Sequence, residues 1–596
     1  MDRQAVIGFV LIFVVLMAWL WMSAPKPQPV EASKAHPADT VQHAAVQKAP
    51  PPPKPTVRDT TGPPDYGKFF EARSKGSERI LVVETERYIA KITSKGARVK
   101  EWILKGYKTW NGYPVELVDY KSGGDFSLLF GTSDGKLVNT SDLYFDASFR
   151  NWQEVKLEGE EEYRVALTLP SSNGGEIVKT FVFRNGTYDF QTSFRFVNMN
   201  SVIANYEYQV VWEHGVRYAE RNSVDESRFA GAYAYAGGEL SEIDASKVGE
   251  VVTKDLGGVV DWVATKSKYF CVAIMSVGGA SEGAYLEGDR VAVRDNGDKE
   301  TYSVALKVPY RGLQDETDSV RVFLGPMDYN VLKSYDKDFE DMMSLGWSWI
   351  RPISIYVVLP LFKLIHDLVP NWGLVLIIFA IIVKVVLHPL TKSSMKSMRK
   401  MQSLQPMIEE LRAKYKEDPQ KLNQQMVGLY KEYGVNPAGG CLPLLLQFPI
   451  LIALYNVFMS AIELRQSAFI WWMTDLSVPD HILTLPFALP IFGVREVSGL
   501  ALLMGVTTFV QQKMSVKDPR QKAMVWIMPV FLTLLFNSFP AGLNLYYFCF
   551  NILSIGQQFY INKQHEGEPL RKVEKKKGSR GGIFGKYTKD LPRFKK

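Results

Sequence analysis

A lysine lies inside an apolar run that is long enough to cross a membrane. The run "GLVLIIFAIIVKVVLHPLT" covers residues 373–391, and Lys384 is about seven residues from its end. A lysine at the centre of a bilayer costs about 2.5–3.5 kcal/mol on insertion scales. His388 and Thr391 follow Lys384 on the same helical face, one and two turns further along. This polar stripe predicts a hydrated cationic site that could attract acidic groups.

Polar residues recur inside three other apolar runs. Gln447 lies at a depth similar to that of Lys384, Gln511 marks the end of a later run, and Asn551 lies midway along the last run. Because unpaired polar groups are costly in lipid, these matching depths indicate a shared hydrated cavity. Two alternatives stay open. The Lys384 side chain could extend to the membrane surface, and each amide could form one hydrogen bond between helices.

The sequence contains none of the common motifs for covalent or metal chemistry. Its three cysteines, Cys271, Cys441 and Cys549, cannot form a disulfide framework, and its seven histidines include no HExxH motif. There is also no P-loop, no GxGxxG after a strand and no GxSxG elbow. Their absence weakens an interpretation as an enzyme or a metal-binding protein without excluding one.

Apolar runs and changes of periodicity divide the chain into segments. We predict a transmembrane anchor at 1–22, a Pro-rich linker at 23–64 and a large all-β sandwich domain at 65–335. We then predict an interfacial amphipathic helix at 343–370, spans at 371–391, 441–460, 498–514, 523–539 and 541–561, a cytoplasmic helical hairpin at 392–436 and a basic cytoplasmic tail at 562–596. The fold class is a multi-domain membrane protein with a five-helix α transmembrane core, an anchor helix and a periplasmic β domain.

Alternating residues identify one hairpin of the β domain. In "VKTFVFRNGTYDFQTSFRFV" the dipeptide Asn185-Gly186 predicts a type I′ turn between two strands. Period-two alternation then places five residues on one buried face of the second strand: Tyr188, Phe190, Thr192, Phe194 and Phe196.

Basic residues indicate the orientation in the membrane. Lysine and arginine are concentrated in 392–436, in the loop before the fifth span and in the tail. Such segments remain on the cytoplasmic side. With six spans, both termini are predicted to be cytoplasmic and the β domain lies outside. The basic tail could contact ribosomes, or its positive charges could serve only to keep the tail on the cytoplasmic side.

The segment 392–436 has the pattern of two antiparallel helices. Apolar residues recur at 4-3-4 spacing in each half, at Leu404, Ile408, Leu411 and Tyr415 and at Leu422, Met426, Leu429 and Tyr433. Methionine adapts to varied apolar partners. Four methionines could therefore form a flexible binding surface for hydrophobic clients, or they could only fill the seam, which is the apolar contact between the two helices of the hairpin: Met395, Met398, Met401 and Met407.

Several motifs together resemble a known family. "VKVVLHPLTKSSMKSMRKMQSLQP", "VNPAGGCLPLLLQFPILIALYNVF" and "FPAGLNLYYFCFNILSIGQQ" are similar to the YidC/Oxa/Alb membrane protein insertases, and "DWVATKSKYFCVAIM" is similar to the periplasmic domain of the Gram-negative type. The resemblance implies an inner-membrane protein that inserts and folds nascent membrane proteins, alone or with the Sec translocon, without a cofactor. It also implies a positively charged groove that is open to cytosol and lipid and closed toward the periplasm.

The resemblance also assigns roles to particular residues. The basic residue of the groove is usually arginine in the family, and Lys384 occupies the matching position. A second polar position corresponds to Ala380, and family contacts with substrate correspond to Tyr546 or Tyr547. The stretch "LPFALPIFGVREVS" before the fourth span is longer than usual in the family, and nothing assigns it a function.

These observations favour an insertase whose hydrated notch at Lys384 draws in a polar client segment. The expected partners are nascent membrane proteins and the lipid bilayer, with the Sec translocon and ribosome as further candidates and no sequence-specific nucleic acid. One alternative is a secondary transporter or channel that uses Lys384, although the five spans show no internal repeat. Another is an envelope enzyme, for which the β domain offers no nucleophile or metal cluster in its sequence.

Overall fold

The computed structural model describes residues 65–279, 281–294, 297–435, 442–487, 494–515 and 522–564. The predicted anchor, the whole predicted linker and nearly all of the basic tail lie outside these ranges. The chain forms two compact units, Met1–Met343 and Ser344–Lys596. We call them the β unit and the helical unit.

The described residues of the β unit form three sheets and three short α-helices. The first sheet has the order β4-β3-β2-β1-β8, formed by Ile80–Glu84 (β1), Tyr88–Thr93 (β2), Arg98–Lys108 (β3), Pro114–Glu116 (β4) and Gln153–Lys156 (β8). The six-stranded sheet has the order β15-β18-β19-β12-β5-β6, formed by Ser127–Thr132 (β5), Leu137–Asn139 (β6), Ile203–Trp212 (β12), Val251–Gly257 (β15), Gly283–Val293 (β18) and Gly297–Pro309 (β19).

The third sheet has nine strands and forms the largest part of the unit. Its order is β14-β13-β16-β17-β20-β11-β10-β9-β7, formed by Asp146–Ala147 (β7), Glu162–Pro170 (β9), Glu176–Arg184 (β10), Asp189–Val197 (β11), Gly231–Ala236 (β13), Glu239–Ile243 (β14), Val260–Lys266 (β16), Phe270–Ser276 (β17) and Asp315–Pro326 (β20). The short helices are Gly67–Phe70 (α1), Ser223–Ser227 (α2) and Tyr329–Lys333 (α3).

The predicted hairpin is present, but its turn differs from the prediction. Strands β10 and β11 pair antiparallel with Phe183 opposite Phe190. Gly186 has a φ of 79° whereas Asn185 has no positive φ, so the predicted type I′ turn is wrong. Asn185 is instead fixed by distant parts of the chain, because its Oδ1 accepts from the Glu86 amide at 2.9 Å and its Nδ2 donates to the Gly159 carbonyl at 3.0 Å.

The predicted buried face of β11 is confirmed. All five of its members are buried: Tyr188, Phe190, Thr192, Phe194 and Phe196. Phe190 lies at the centre of an aromatic core, with its ring centroid 5.5–5.8 Å from those of Phe181, Phe126 and Trp102. Burial of these large rings stabilises the β unit.

The helical unit consists of nine described helices and one small sheet. Its elements are Arg351–Ile353 (α4), Leu359–Leu368 (α5), Trp372–Ser403 (α6), Gln405–Lys414 (α7), Pro419–Tyr433 (α8), Leu442–Ser460 (α9), His481–Thr484 (β21), Glu496–Ser498 (β22), Gly499–Ser515 (α10), Lys522–Phe536 (α11) and Ala541–Gln564 (α12). A π-helical segment, Ser354–Val358, joins α4 to α5. Helix α12 packs against both α6 and α10, and α10 packs against α11.

Helix α6 is longer than the span predicted at 371–391. It begins after Asn371, whose side-chain oxygen accepts from the Leu374 amide at 3.1 Å, and it continues to Ser403. The helix does not end at Thr391 because the residues that follow are good helix formers. The described helical hairpin is therefore α7 and α8, and three of the four predicted methionines lie on the extension of α6: Met395, Met398 and Met401.

Candidate functional site

Lys384 is buried between α6 and α12. Its side chain is on the buried face of α6, and the residue is only 8% exposed. Its Nζ donates to Ser554 Oγ at 2.7 Å and lies 4.6 Å from the centroid of the Phe550 ring. Ser554 Oγ in turn donates to the Phe550 carbonyl at 2.8 Å. The amine therefore has a neutral acceptor and an aromatic face as neighbours, both from α12.

The polar stripe below Lys384 also faces α12. The Nε2 atom of Gln557 lies 3.1 Å from His388 Nδ1 and 3.3 Å from Thr391 Oγ1. Gln557 therefore bridges the second and third members of the stripe. The structure thus brings Lys384 and His388 to one helix–helix interface.

Asn551 connects α12 to a different helix. Its Nδ2 donates to Thr508 Oγ1 at 3.0 Å and lies 3.3 Å from Thr507 Oγ1, both on α10. This is the interhelical hydrogen bond that the sequence left open as an alternative. Gln511 is half-buried one turn further along α10. No hydrogen bond joins Gln511 or Asn551 to Lys384 within the described part of the chain, so a single shared cavity stays a prediction.

Gln447 on α9 and Tyr546 on α12 are buried and face each other. The Gln447 side chain lies against the Tyr546 hydroxyl, although neither Gln447 Nε2 nor that hydroxyl makes a well-formed hydrogen bond among the described residues. The Tyr546 ring packs 5.9 Å from that of Phe379. Tyr547 is less buried and packs 5.3 Å from the ring of Phe536. Buried polar groups without well-formed hydrogen bonds are costly.

The sequence prediction missed the partners that α12 supplies. Ser554 and Gln558 follow Asn551 at i+3 and i+7, so they lie on one face of α12. All three are buried. This polar stripe within "NILSIGQQ" was readable from the sequence, which would have shown that one face of α12 is polar.

The predicted methionine surface divides into two parts. Met395 is buried on α6, and Met398 is half-buried. Met401 and Met407 pack against an apolar cluster of the hairpin formed by Leu404, Ile408, Tyr433 and Val435. For Met401 and Met407 the structure thus matches the alternative in which methionines fill the seam.

One end of the helical unit is closed by the segment between α9 and α10. The amides of Ala541 and Gly542, at the start of α12, donate to the carbonyls of Val478 at 2.8 Å and Leu476 at 2.9 Å. Gly542 also permits close packing, because a Cβ there would overlap the Phe458 ring.

Sequence comparisons place the chain among known proteins. The family described as YidC periplasmic domain matches residues 80–355, and the family described as 60Kd inner membrane protein matches residues 364–568. "Membrane protein insertase YidC" of Chlorobaculum parvum is 39% identical over 94% of this chain and 94% of that protein. The protein of the same name from Chloroherpeton thalassium is 37% identical over 97% and 98% of the two chains. The chain belongs to the YidC family of membrane protein insertases.

Membership in the YidC family explains the division into two units. The family comprises inner-membrane proteins with a periplasmic domain, and they are not enzymes. The three sheets begin at Ile80, where the match to the YidC periplasmic domain begins. A solved structure described as an active YidC insertase with its first transmembrane domain resolved is 20% identical, with a TM-score of 0.34 over 83% of this chain and 94% of that one.

The helical unit of this YidC chain contains one long apolar helix among the described residues. Trp372–Ser403 is long and apolar enough to cross a membrane. Shorter apolar helices are Gln447–Ser460 and Val525–Phe536. Lys384 therefore lies in the described helix that best meets the requirements of a span.

One acidic and histidine cluster in the YidC periplasmic domain has the spacing of a cation site. The ligand atoms of Asp125, Glu213 and His214 lie within 4.8 Å of one another. However, the Asp125 carboxylate already accepts from the amides of Glu213 and His214, each at 2.8 Å. Burial lowers the pKa of His214, but the hydrogen bond and the charge of Asp125 outweigh burial, so the net pKa is raised. These contacts are those of a carboxylate that holds a turn, and we assign the cluster a structural role.

Proposed function

We propose that this protein inserts nascent membrane proteins through a polar groove whose cationic centre is Lys384. The observation that carries the proposal is the buried amine between α6 and α12, which has Ser554 Oγ as a neutral hydrogen-bond acceptor. No carboxylate pairs with Lys384 among the described residues. A lysine ammonium has three N–H donors, so donors remain for a client. The groove would also include His388, Gln447, Gln511, Asn551, Tyr546 and Tyr547.

In this proposal the buried charge attracts acidic residues of the client. A charge pair interacts several-fold more strongly in a partly buried site than in bulk water. A client carboxylate would replace Ser554 as the partner of Lys384. Gln447 and Tyr546, which lie against each other without a well-formed hydrogen bond, would bind the polar backbone that follows. A short hydrophilic segment would then lie part-way into the membrane at a lower cost than in undisturbed lipid.

The neighbouring face of α6 offers a path into lipid. Ile381, Val385 and Val386 are exposed and lie within one turn of Lys384. An apolar client segment could therefore leave the polar groove and contact lipid without crossing a barrier. The closed end of the unit at Val478 and Ala541 favours a groove that is shut toward the periplasm.

The proposed topology has six spans with both termini in the cytoplasm. The anchor, the five spans of the core and the basic tail keep the boundaries predicted from the sequence, with α6 extending beyond its span into the cytoplasm. The helix at 351–368 exposes Tyr356, Leu364 and Leu368 to its surroundings, which suits an interfacial position. The proposed partners are nascent membrane proteins and lipid, with the Sec translocon and, through the tail 562–596, the ribosome as further partners.

Site-specific crosslinking tests this function. A photo-crosslinking amino acid at position 384 or 547 should capture a ribosome-stalled nascent membrane protein. The same group at Glu239, an exposed residue of the β unit, serves as the control and should capture no client. Capture at Glu239 equal to that at 384 and 547, with all variants at equal membrane levels, would contradict the proposed groove.

A further inference from the structure

The segment between α9 and α10 carries an exposed apolar patch. Its members are Trp471, Ile482, Leu483 and Phe487, which we call the loop patch. Trp471 is 81% exposed, and the other three are exposed by half or more. The patch includes the first part of the stretch to which the sequence assigned no function. Grouped large apolar side chains on a surface indicate an interaction site.

The base of the loop patch is held by buried polar contacts. Asp480 is buried, and its Oδ2 accepts from Trp472 Nε1 at 2.8 Å and from the Leu500 amide at 2.8 Å. The Asn537 side chain accepts from the Ser498 amide at 2.9 Å and donates to the Glu496 carbonyl at 2.7 Å. These bonds join the hairpin to α10 and to the residue after α11, so the orientation of the patch is fixed.

Among the described residues, the first strand of the hairpin that carries the patch is exposed along its whole length. Strands β21 and β22 form a separate two-stranded sheet, and all four residues of β21 are exposed. A two-stranded hairpin alone is marginally stable in water. A surface that covers Ile482 or Leu483 would therefore stabilise the hairpin.

The position of the hairpin favours lipid as that surface. Strand β22 ends at Ser498 and α10 begins at the next residue. From Gly499 the uncharged, mainly apolar stretch reaches only to Gln512, before Lys513, so it is about 21 Å long at about 1.5 Å per residue. The hydrocarbon layer is about 30 Å thick, so lipid is expected to thin around this helix or to reach beyond its end. The loop patch lies at that end.

The residue types also fit the boundary between headgroups and acyl chains. Trp471 and Trp472 stack with ring centroids 5.7 Å apart, and tryptophan is enriched at membrane interfaces. Open strand edges are not tolerated in hydrocarbon. The backbone of β21 must therefore stay at headgroup level while its apolar side chains insert.

We propose that the loop patch is an interfacial anchor that inserts into the outer leaflet at the periplasmic end of α10. It holds this short helix at a fixed depth and limits how far the bilayer can slide along it. The inference rests on the proposed topology, which places this end of α10 outside. The occupant is lipid rather than a client or a second copy of the chain.

Spin-label depth measurements test the anchor. Nitroxides are attached at Leu483→Cys and Phe487→Cys, and at Glu239→Cys as the aqueous control, in the full chain with its three native cysteines replaced by alanine. The proteins are placed in phosphatidylethanolamine–phosphatidylglycerol vesicles without clients. We expect the labels at 483 and 487 to be more accessible to oxygen than to a water-soluble nickel chelate, and the label at 239 to show the reverse.

Two outcomes would overturn the anchor. One is nickel accessibility at both 483 and 487 equal to that at 239, and the other is dipolar broadening at 483 or 487 that identifies a second copy as the cover. Client insertion is measured separately on the same variants. If the labels at 483 and 487 lie in lipid but client insertion is lost, the result supports the anchor and counts against the groove. If client insertion is normal but both labels are in water, the result overturns the anchor alone.

Discussion

Glu226 in the β unit and Lys384 in the helical unit are both buried, but their hydrogen bonds differ. Glu226 accepts three backbone amides at 2.8–3.1 Å. Lys384 has the Ser554 hydroxyl as its neutral acceptor. A buried group with many hydrogen bonds stabilises one conformation, whereas a group with few can exchange its partner. The β unit also buries a lysine with a neutral acceptor, because Lys179 donates to the Phe126 carbonyl at 2.8 Å, so the number of hydrogen bonds alone does not identify a working site.

The apolar residues of the two units can be compared in the same way. The β unit has an enclosed aromatic core, in which Tyr88 and Trp102 stack at 3.8 Å and the Trp102 indole donates to the Leu324 carbonyl at 3.0 Å. The helical unit exposes apolar side chains such as Val385 and Val506. Exposed apolar helices are stable in lipid, where water is absent. The solvent that each unit requires therefore explains the difference.

The largest expected effect is on the core of the β unit. Phe190→Ala should lower its free energy of unfolding by about 3–5 kcal/mol, because the cavity loses ring contacts from several sides. Chemical denaturation of the β unit, expressed as residues 65–335, measures the change. Tyr113→Ala is the matched control because Tyr113 is exposed. Equal destabilisation by the two substitutions would show that the ring cluster is not the core.

The next largest effect is expected at Lys384. Lys384→Leu and Lys384→Glu should slow insertion of a client with an acidic translocated tail by about tenfold, which corresponds to about 1.4 kcal/mol. Lys384→Arg retains the charge and should retain most of the rate. The measurement is insertion into proteoliposomes at equal protein levels, for the client with and without its acidic residues.

Two variants serve as controls for Lys384. Ser554→Ala removes the acceptor but keeps the charge of Lys384. It should therefore lower the insertion rate less than Lys384→Leu does. Lys396→Leu removes an exposed lysine of the same helix and should have little effect. Equal insertion rates for Lys384→Leu, Lys384→Glu and Lys384→Arg would refute a role for the charge.

A smaller effect is expected from pH on the β unit. Burial raises the pKa of Glu300 to about 7, and the Tyr302 hydroxyl donates to its Oε2 at 2.7 Å. A carboxyl with a raised pKa favours folding below its unfolded pKa, and this contribution is lost as pH rises through about 7. Between pH 6 and pH 8 the β unit should therefore lose about 1 kcal/mol of stability from this group.

Denaturation of Glu300→Gln tests this assignment. The substitution keeps a neutral group of similar shape, so the stability of the β unit should depend less on pH between pH 6 and pH 8. Glu239→Gln, at an exposed position, should leave the pH dependence of stability unchanged. An identical pH slope in Glu300→Gln and the parent would assign the titration to another group.

The smallest effect is expected when the β unit is removed. A chain that joins the first span to residue 340 onward should insert simple clients at nearly the normal rate, because the groove residues all belong to the helical unit. Insertion assays with clients that lack large translocated domains measure this. Complete loss of insertion, at normal membrane levels of the shortened chain, would show that the two units do not work separately.

The sequence by itself determined the main features of both units. Period-two alternation identified the buried face of β11 because a strand alternates sides at every residue. The apolar run around Lys384 identified the helix that is long and apolar enough to cross a membrane, because such a run is typical of a span. Motifs conserved in order along the chain indicated the family, and the comparisons confirm it.

Only the tertiary structure decided which groups meet. The turn at Asn185 depends on contacts with Glu86 and Gly159, which are distant in sequence and override the local preference for a type I′ turn. The hydrogen bond between Lys384 and Ser554 joins residues 170 positions apart in the chain. Periodicity shows which face of a helix is polar, but it cannot show which other helix that face contacts, because this depends on how all the helices pack together.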